Sequence, residues 1–175
     1  MLAASTHYSA EEVTHLSHQF NCDVAGSVIP FSLFAGFTTA MGIDPDAARI
    51  LFRGFDADCD GVITFAELVR GLSSMTRGTD DERIRFAFRM YADPDTGVIP
   101  AGSLHETART LRRSFGPLHP YHAHGGDAID GGATDDDVVH DVTGGAATMA
   151  YEDFVLYARS SPSCARGLAL QLAVS

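Results

Sequence analysis

The sequence predicts an all-α protein of four helix-loop-helix units in two paired lobes, with short two-stranded β pairings between loops. Three observations predict it. First, a pattern repeats: FRGFDADCDGVITFAEL (52–68) set over FRMYADPDTGVIPAGSL (88–104) matches in Phe-Arg, an aromatic three places on, Gly-Val-Ile and the closing Leu, all at one fixed offset. Second, the segments flanking these loops carry apolar residues at helical spacing. Third, DADCDGVITFAE (56–67) has acidic residues at its first, third, fifth and twelfth places, Gly at the sixth and Ile at the eighth.

The first unit opens with EEVTHLSHQF, and its loop leads into VIPFSLF (28–34), which matches VITFAEL (62–68) in Val-Ile and in Phe31/Phe65. The second is entered through DPDAARILFRGF, with Asp44 as N-cap and Pro45 at the first helical position. There Ala47, Ile50, Leu51 and Phe55 recur near helical spacing. After the loop, Phe65, Leu68, Val69 and Leu72 form a stripe, and Gly78 lies just beyond the helix. The third unit enters through DDERIRFAFRMY, where Ile84, Phe86, Phe88 and Tyr91 interleave with Arg.

FGPLHPYHAHGGDAIDGGATDDD follows, rich in Gly, His and Asp, and reads as a long surface linker (about 115–135). In the fourth unit, MAYEDF sets Met149 where Ile63 stands and Tyr151 where Phe65 stands. The expected division is an N-terminal lobe over 1–78, a C-terminal lobe over 79–160 and a tail over 161–175, in which RGLALQLAVS is apolar enough for a short helix. A lone unit leaves an apolar face exposed and a loop strand unpaired. Val28-Ile29 is therefore expected to pair with Val62-Ile63, and Val98-Ile99 with the residues around Met149.

Charge and cysteine usage narrow the function classes. A formal net charge of −11 argues against a charge-driven binder of nucleic acid or anionic membranes and favours attraction of cations. Cys22, Cys59 and Cys164 are odd in number and far apart, which fits neither a disulfide framework nor a zinc ribbon and suits a reducing cytoplasmic setting. The start, MLAASTHYSAEE, lacks signal-peptide character, and Leu2 stands where N-myristoylation needs Gly, so no lipid anchor is expected. Val24 to Ile43 is uncharged over about a membrane span, but its Pro30, three Gly, two Ser and two Thr make a transmembrane helix a poor reading.

The acidic stretch has the chemistry of an EF-hand calcium loop. Ca²⁺ takes six to eight oxygen ligands, which a twelve-residue loop supplies from places one, three, five, seven and twelve. Asp56, Asp58 and Asp60 would offer carboxylate oxygens, Val62 its backbone carbonyl, and Glu67 both carboxylate oxygens from the outgoing helix. Thr64 could act directly or hold a bridging water. Gly61 permits the sharp turn, and without metal the four carboxylates repel one another. Cys59, at place four, reads as a free thiol or a redox handle on ion affinity.

The other loops fail on the same physics. The third has Ala92, Pro94, Thr96 and Ser103 at places one, three, five and twelve, while Asp93 and Asp95 fall at the outward places two and four. The first has Cys22, Val24, Gly26 and Leu33, and the fourth Val142, Gly144, Ala146 and only Asp153 at the last place. One site is expected, with Mg²⁺ a possible occupant at rest.

LFRGFDADCDGVITFAELVRGLSSMTRGTDDERIRFAFRMY…GVI resembles the central part of the neuronal calcium sensor family, including potassium-channel-interacting proteins, and the related calcineurin B subunits. The RGT…E…AF…Y segment carries most of the likeness because it lies outside the metal pattern. The resemblance implies a degenerate first hand and an apolar groove that takes an amphipathic target helix. Phe31, Phe34, Phe37, Leu68, Leu72 and Met75 are the groove candidates. It also implies a metal-binding third hand, from which this chain departs.

The resulting expectation is a Ca²⁺-responsive regulatory or sensor subunit, not an enzyme, reaching membranes only through its partner. Its alternative is a non-switching, light-chain-like scaffold with a structural ion. An enzyme or zinc site would have to use His119, His122 and His124 of the linker, whose spacing fits no zinc-enzyme helix.

Overall fold

The computed structural model describes residues 2–24, 26–100, 102–104, 107, 110 and 146–160, which are mostly helical with two small antiparallel sheets. In chain order the elements are α1 (Ala10–Asp23), β1 (Val28–Pro30), α2 (Phe31–Ala40), α3 (Pro45–Phe55), β2 (Val62–Thr64), α4 (Phe65–Arg77), α5 (Asp80–Tyr91), β3 (Ile99–Pro100), β4 (Thr148–Met149) and α6 (Tyr151–Ser160). A 3₁₀ turn over Leu2–Ser5 precedes them. The predicted linker and its histidines, the tail and Cys164 lie outside the described residues.

Local chemistry sets the helix starts. Ser9 with Glu12, Thr64 with Glu67 and Thr79 with Glu82 each form a reciprocal cap, the hydroxyl accepting one orphan amide while the glutamate accepts another. Asp44 caps α3 by accepting the Asp46 amide at 2.9 Å, with Pro45 at the first helical position. Gly78 is the C-cap of α4, a place where a Cβ would collide with the Ser74 backbone.

The two loop pairings form as antiparallel ladders. Ile29 stands opposite Ile63 between the first two loops, with Val28 opposite Thr64 and Pro30 opposite Val62. Ile99 stands opposite Met149 in the second ladder. All four central side chains are buried. Val98 lies outside β3 and instead accepts the Asp93 amide at 2.9 Å, closing the third loop on itself.

One continuous core runs from Phe20 of α1 to Phe154 of α6. Phe31 and Phe34 of α2 meet Phe52 of α3 edge-on, Phe34 meets Phe55, and Phe55 meets Phe86 of α5 at 5.2 Å between ring centres. Helix α5 thus packs on both α3 and α4. Two glycines allow the approach: a Cβ on Gly54 would lie 2.8 Å from Met90 Cγ and Phe86 Cζ, and one on Gly71 would lie 2.3 Å from Phe55 Cδ1. Among the described residues no helix is long and apolar enough to cross a membrane.

Candidate functional site

The acidic loop joins α3 to α4, with β2 in its second half. Each end is fixed by packing: Phe55 is buried just before it and Ile63 is wholly buried within it. Gly61 takes φ +85° and Cys59 φ +59°, both left-handed, so the chain turns sharply between Asp58 and Val62.

That turn gathers three carboxylates. One oxygen from each of Asp56, Asp58 and Asp60 lies within 4.8 Å of the others. Backbone amides hold them in place. Asp56 accepts the Asp60 amide at 3.1 Å through Oδ1 and the Gly61 amide at 3.0 Å through Oδ2. Asp58 accepts the Asp60 amide at 3.3 Å, and Asp60 the Val62 amide at 2.9 Å. Asp56 is buried while Asp58 and Asp60 are exposed, so the cluster opens to solvent on one side. The donors are all oxygen, which suits a hard cation such as Ca²⁺ and not a thiolate- or imidazole-seeking metal.

Burial, reinforced by the Asp60 and Glu67 carboxylates, pushes the Asp56 carboxyl above its ordinary range, against the opposing Gly61 and Asp60 amides. Burial also acts upward on Glu67, but hydrogen bonds from Thr64, Ala57 and Asp58 outweigh it and leave that carboxyl below the usual range. The Cys59 thiol is pushed up by burial and by the Asp56 and Asp58 carboxylates. That favours the protonated form of the thiol.

Glu67 is buried at the start of α4 and stands outside the three-carboxylate cluster. Its Oε1 accepts the Ala57 amide at 2.9 Å, and its Oε2 accepts the Thr64 amide at 2.9 Å and the Thr64 hydroxyl at 2.7 Å. The Thr64 hydroxyl is thus committed to the helix cap. The Thr-x-x-Glu spacing inside the loop was a readable signal for this cap, masked by the ion-ligand reading of the same residues.

Among the described residues no other loop gathers a comparable cluster of carboxylates. In the third, Gly97 keeps the left-handed turn of Gly61, but Asp93 Oδ1 accepts the Asp95 amide, the Thr96 amide and the Thr96 hydroxyl at 3.0–3.1 Å. Asp93, expected to point outward, folds over its own turn instead. In the first loop, Val24 fills the third place from within the core. Asp153 of the fourth caps α6 by accepting the Ala150 amide at 3.2 Å, whereas Val142 and Gly144 lie outside the described residues.

The six groove candidates all lie on α2 and α4. Phe31, Phe34, Leu68, Leu72 and Met75 are partly buried against the core, and Phe37 is 44% exposed. Met41, 76% exposed near the end of α2, extends that apolar surface and was not among the candidates.

No protein-family model matches the chain. Among curated proteins it is similar to calcium-binding protein NCSA of Dictyostelium discoideum, 34% identical over 117 residues, covering 66% of this chain and 63% of the relative. It is 32% identical over 107 residues to the calcineurin B subunit of Candida glabrata, covering 59% of each. A shorter likeness, 28% over 64 residues, joins it to the guanylyl cyclase inhibitory protein of Lithobates pipiens, covering 37% of this chain and 31% of that one. The chain thus spans about three-fifths of the length of the first two relatives.

Proposed function

We infer that this chain, an EF-hand calcium-sensor protein of the group that holds the neuronal calcium sensors and calcineurin B subunits, binds one Ca²⁺ reversibly at its second hand and uses it to regulate a partner protein. The observation that carries the site is the convergence of Asp56, Asp58 and Asp60 oxygens on one point of an amide-lined turn. These three would hold the ion with the Val62 carbonyl and both oxygens of Glu67, and the ion would neutralise carboxylates that otherwise repel one another. Mg²⁺, smaller and more strictly octahedral, would compete at rest.

The coupling to a partner runs through Glu67. Its side chain caps α4, so a ligand role for Glu67 exchanges bonds at the helix start and biases the position of α4 against α2. Phe31, Phe34, Phe37, Leu68, Leu72 and Met75 would then take the apolar face of an amphipathic partner helix. We assign the chain no catalytic activity and place it in the cytoplasm, with any membrane contact made through the partner; the free exposed thiols of Cys22 and Cys59 accord with a reducing compartment.

Calorimetric titration of Ca²⁺ on the intact chain and on E67Q tests the reading. It predicts a stoichiometry of one for the wild type and loss of the heat in the variant. A second stoichiometric site, or an affinity that E67Q leaves unchanged, would overturn it. A dye that reports exposed apolar surface should brighten with Ca²⁺; a flat response would favour the structural-ion scaffold.

A further inference from the structure

The repeat sets two arginines at equivalent places, and each acts on an acid of the other unit. Arg53 follows Phe52 in the last turn of α3, and Arg89 follows Phe88 in the last turn of α5. Arg53 and the Asp93 carboxylate of the third loop influence one another, while the Glu67 carboxylate of the second hand acts on Arg89. The two exchanges differ in consequence. Asp93 serves only a turn that closes on itself, whereas Glu67 stands at the last place of the acidic loop.

Arg89 is pinned beside that loop. Its Nε–H donates to the Gly54 carbonyl at 3.0 Å, two residues before Asp56, and its guanidinium lies 5.6 Å from the centre of the Phe86 ring. Gly54 lets α5 come this near, since a Cβ there would lie 2.8 Å from Met90 Cγ and Phe86 Cζ. Half-buried, Arg89 lines one cleft with Asp56, Cys59 and Gly61 of the acidic loop. Burial, and then the like charge of Arg85, pull the guanidinium below its ordinary value, with Glu67 acting the other way. Among the described residues no carboxylate forms an ion pair with Arg89, so its charge is not cancelled locally.

We propose that Arg89, lent by the third unit, is a built-in counter-cation of the second-hand ion site and lowers its affinity for divalent ions. The proposal rests on the ion-binding reading above and concerns the strength of that same site. A fixed positive charge steadies the carboxylates before the ion arrives and repels the ion afterwards, so both effects oppose binding. Held half out of water, it is screened less than a fully exposed charge. Such repulsion acts on charge alone and does not separate Ca²⁺ from Mg²⁺. The third hand, without a carboxylate set of its own, thereby tunes the hand that has one.

Calorimetric titration of the full chain with Ca²⁺ and with Mg²⁺, at low and high salt, tests this on wild type, R89Q and R89K. Glutamine keeps an amide donor for Gly54 and loses the charge, whereas lysine keeps the charge and loses the fork. R89Q should bind Ca²⁺ about three- to fivefold more tightly at low salt, and Mg²⁺ by the same factor, with the gap narrowing as salt rises. R89K should stay within about twofold of wild type. R89M, also uncharged, should match R89Q, so the outcome does not hang on the folding of one variant. An affinity that R89Q leaves unchanged or weakens, or one that R89K raises as much as R89Q, overturns the proposal alone. A wild type that takes up no Ca²⁺ overturns it together with the ion-binding reading.

Discussion

The amide of Ala57 donates to Glu67 Oε1 at 2.9 Å, joining the second place of the acidic loop to the twelfth. The residue expected to close the ion shell therefore already closes the loop without an ion, using its other oxygen to cap α4. Glutamine keeps an acceptor oxygen and still serves as a capping-box partner, but it lacks the charge a hard cation needs. E67Q should therefore lower Ca²⁺ affinity by roughly 100-fold while changing metal-free stability by less than about 1 kcal/mol. Calorimetry and metal-free thermal melts check the two halves separately. A large loss of metal-free stability would mean that Glu67 serves the fold first.

Thr64 should behave in the opposite way. Its hydroxyl donates to Glu67 Oε2 at 2.7 Å and accepts the Glu67 amide at 3.3 Å, so T64A removes a helix cap. The expected cost is about 1 kcal/mol of metal-free stability, read as a lower melting temperature. T64S, which keeps the hydroxyl, should restore most of it.

The helix-loop-helix order, both loop pairings, the Asp44 cap and the carboxylate cluster were legible because each follows from local spacing. Period-matched apolar residues and a fixed Gly-Val-Ile leave little freedom there. The contacts of α3 with α4 and α5 were not, since Gly54 and Gly71 show their purpose only when Phe55, Phe86 and Met90 arrive from elsewhere in the chain. Nor was the docking of the N-terminal segment. His7 meets Glu82 at 2.7 Å and its amide donates to Ser73, while Tyr8 bonds Thr76 and lies under the Arg77 guanidinium. These are contacts of long sequence separation between polar residues, which carry no periodic signature.

That docked segment carries a pH dependence. Arg77 forms two hydrogen bonds with Glu12 at 2.7 and 3.1 Å and, with the Ser9 amide, holds the Glu12 carboxyl down at about 2, against an ordinary value of 4.5. A depressed carboxyl stabilises the fold above its unfolded value, and the contribution is lost as pH falls from 4.5 through about 2. The melting temperature of R77M should thus lie below that of the wild type at pH 6, with the two curves converging as pH approaches 2. A gap that stays constant across this range would assign the effect of R77M to lost stacking on Tyr8 instead.

Asp93 provides the counterpart to the ion site. Its carboxylate is held below its usual range by the Thr96 amide and hydroxyl, so it is a turn-forming residue. D93A should leave the Ca²⁺ stoichiometry and affinity unchanged. It should instead loosen the third loop, read as faster amide exchange at Asp95 and Thr96.

Gly71 is where α4 presses on Phe55 of α3, and it offers the sharpest packing test. A methyl group there would lie 2.3 Å from Phe55 Cδ1 and 2.5 Å from Cε1, with Phe86 Cε2 at 3.2 Å behind it. Phe55 cannot retreat freely, because it packs against Phe34 on one side and Phe86 on the other. G71A should therefore cost about 1–3 kcal/mol despite the better helix propensity of alanine. Gly36, in α2, has nothing within 4 Å of its would-be Cβ, so G36A should be neutral or stabilise by up to about 1 kcal/mol. Denaturant melts of the pair decide the matter: opposite signs mean that α4 rests directly on the ring of Phe55, whereas a gain in both would place the α3–α4 contact farther apart than these distances state.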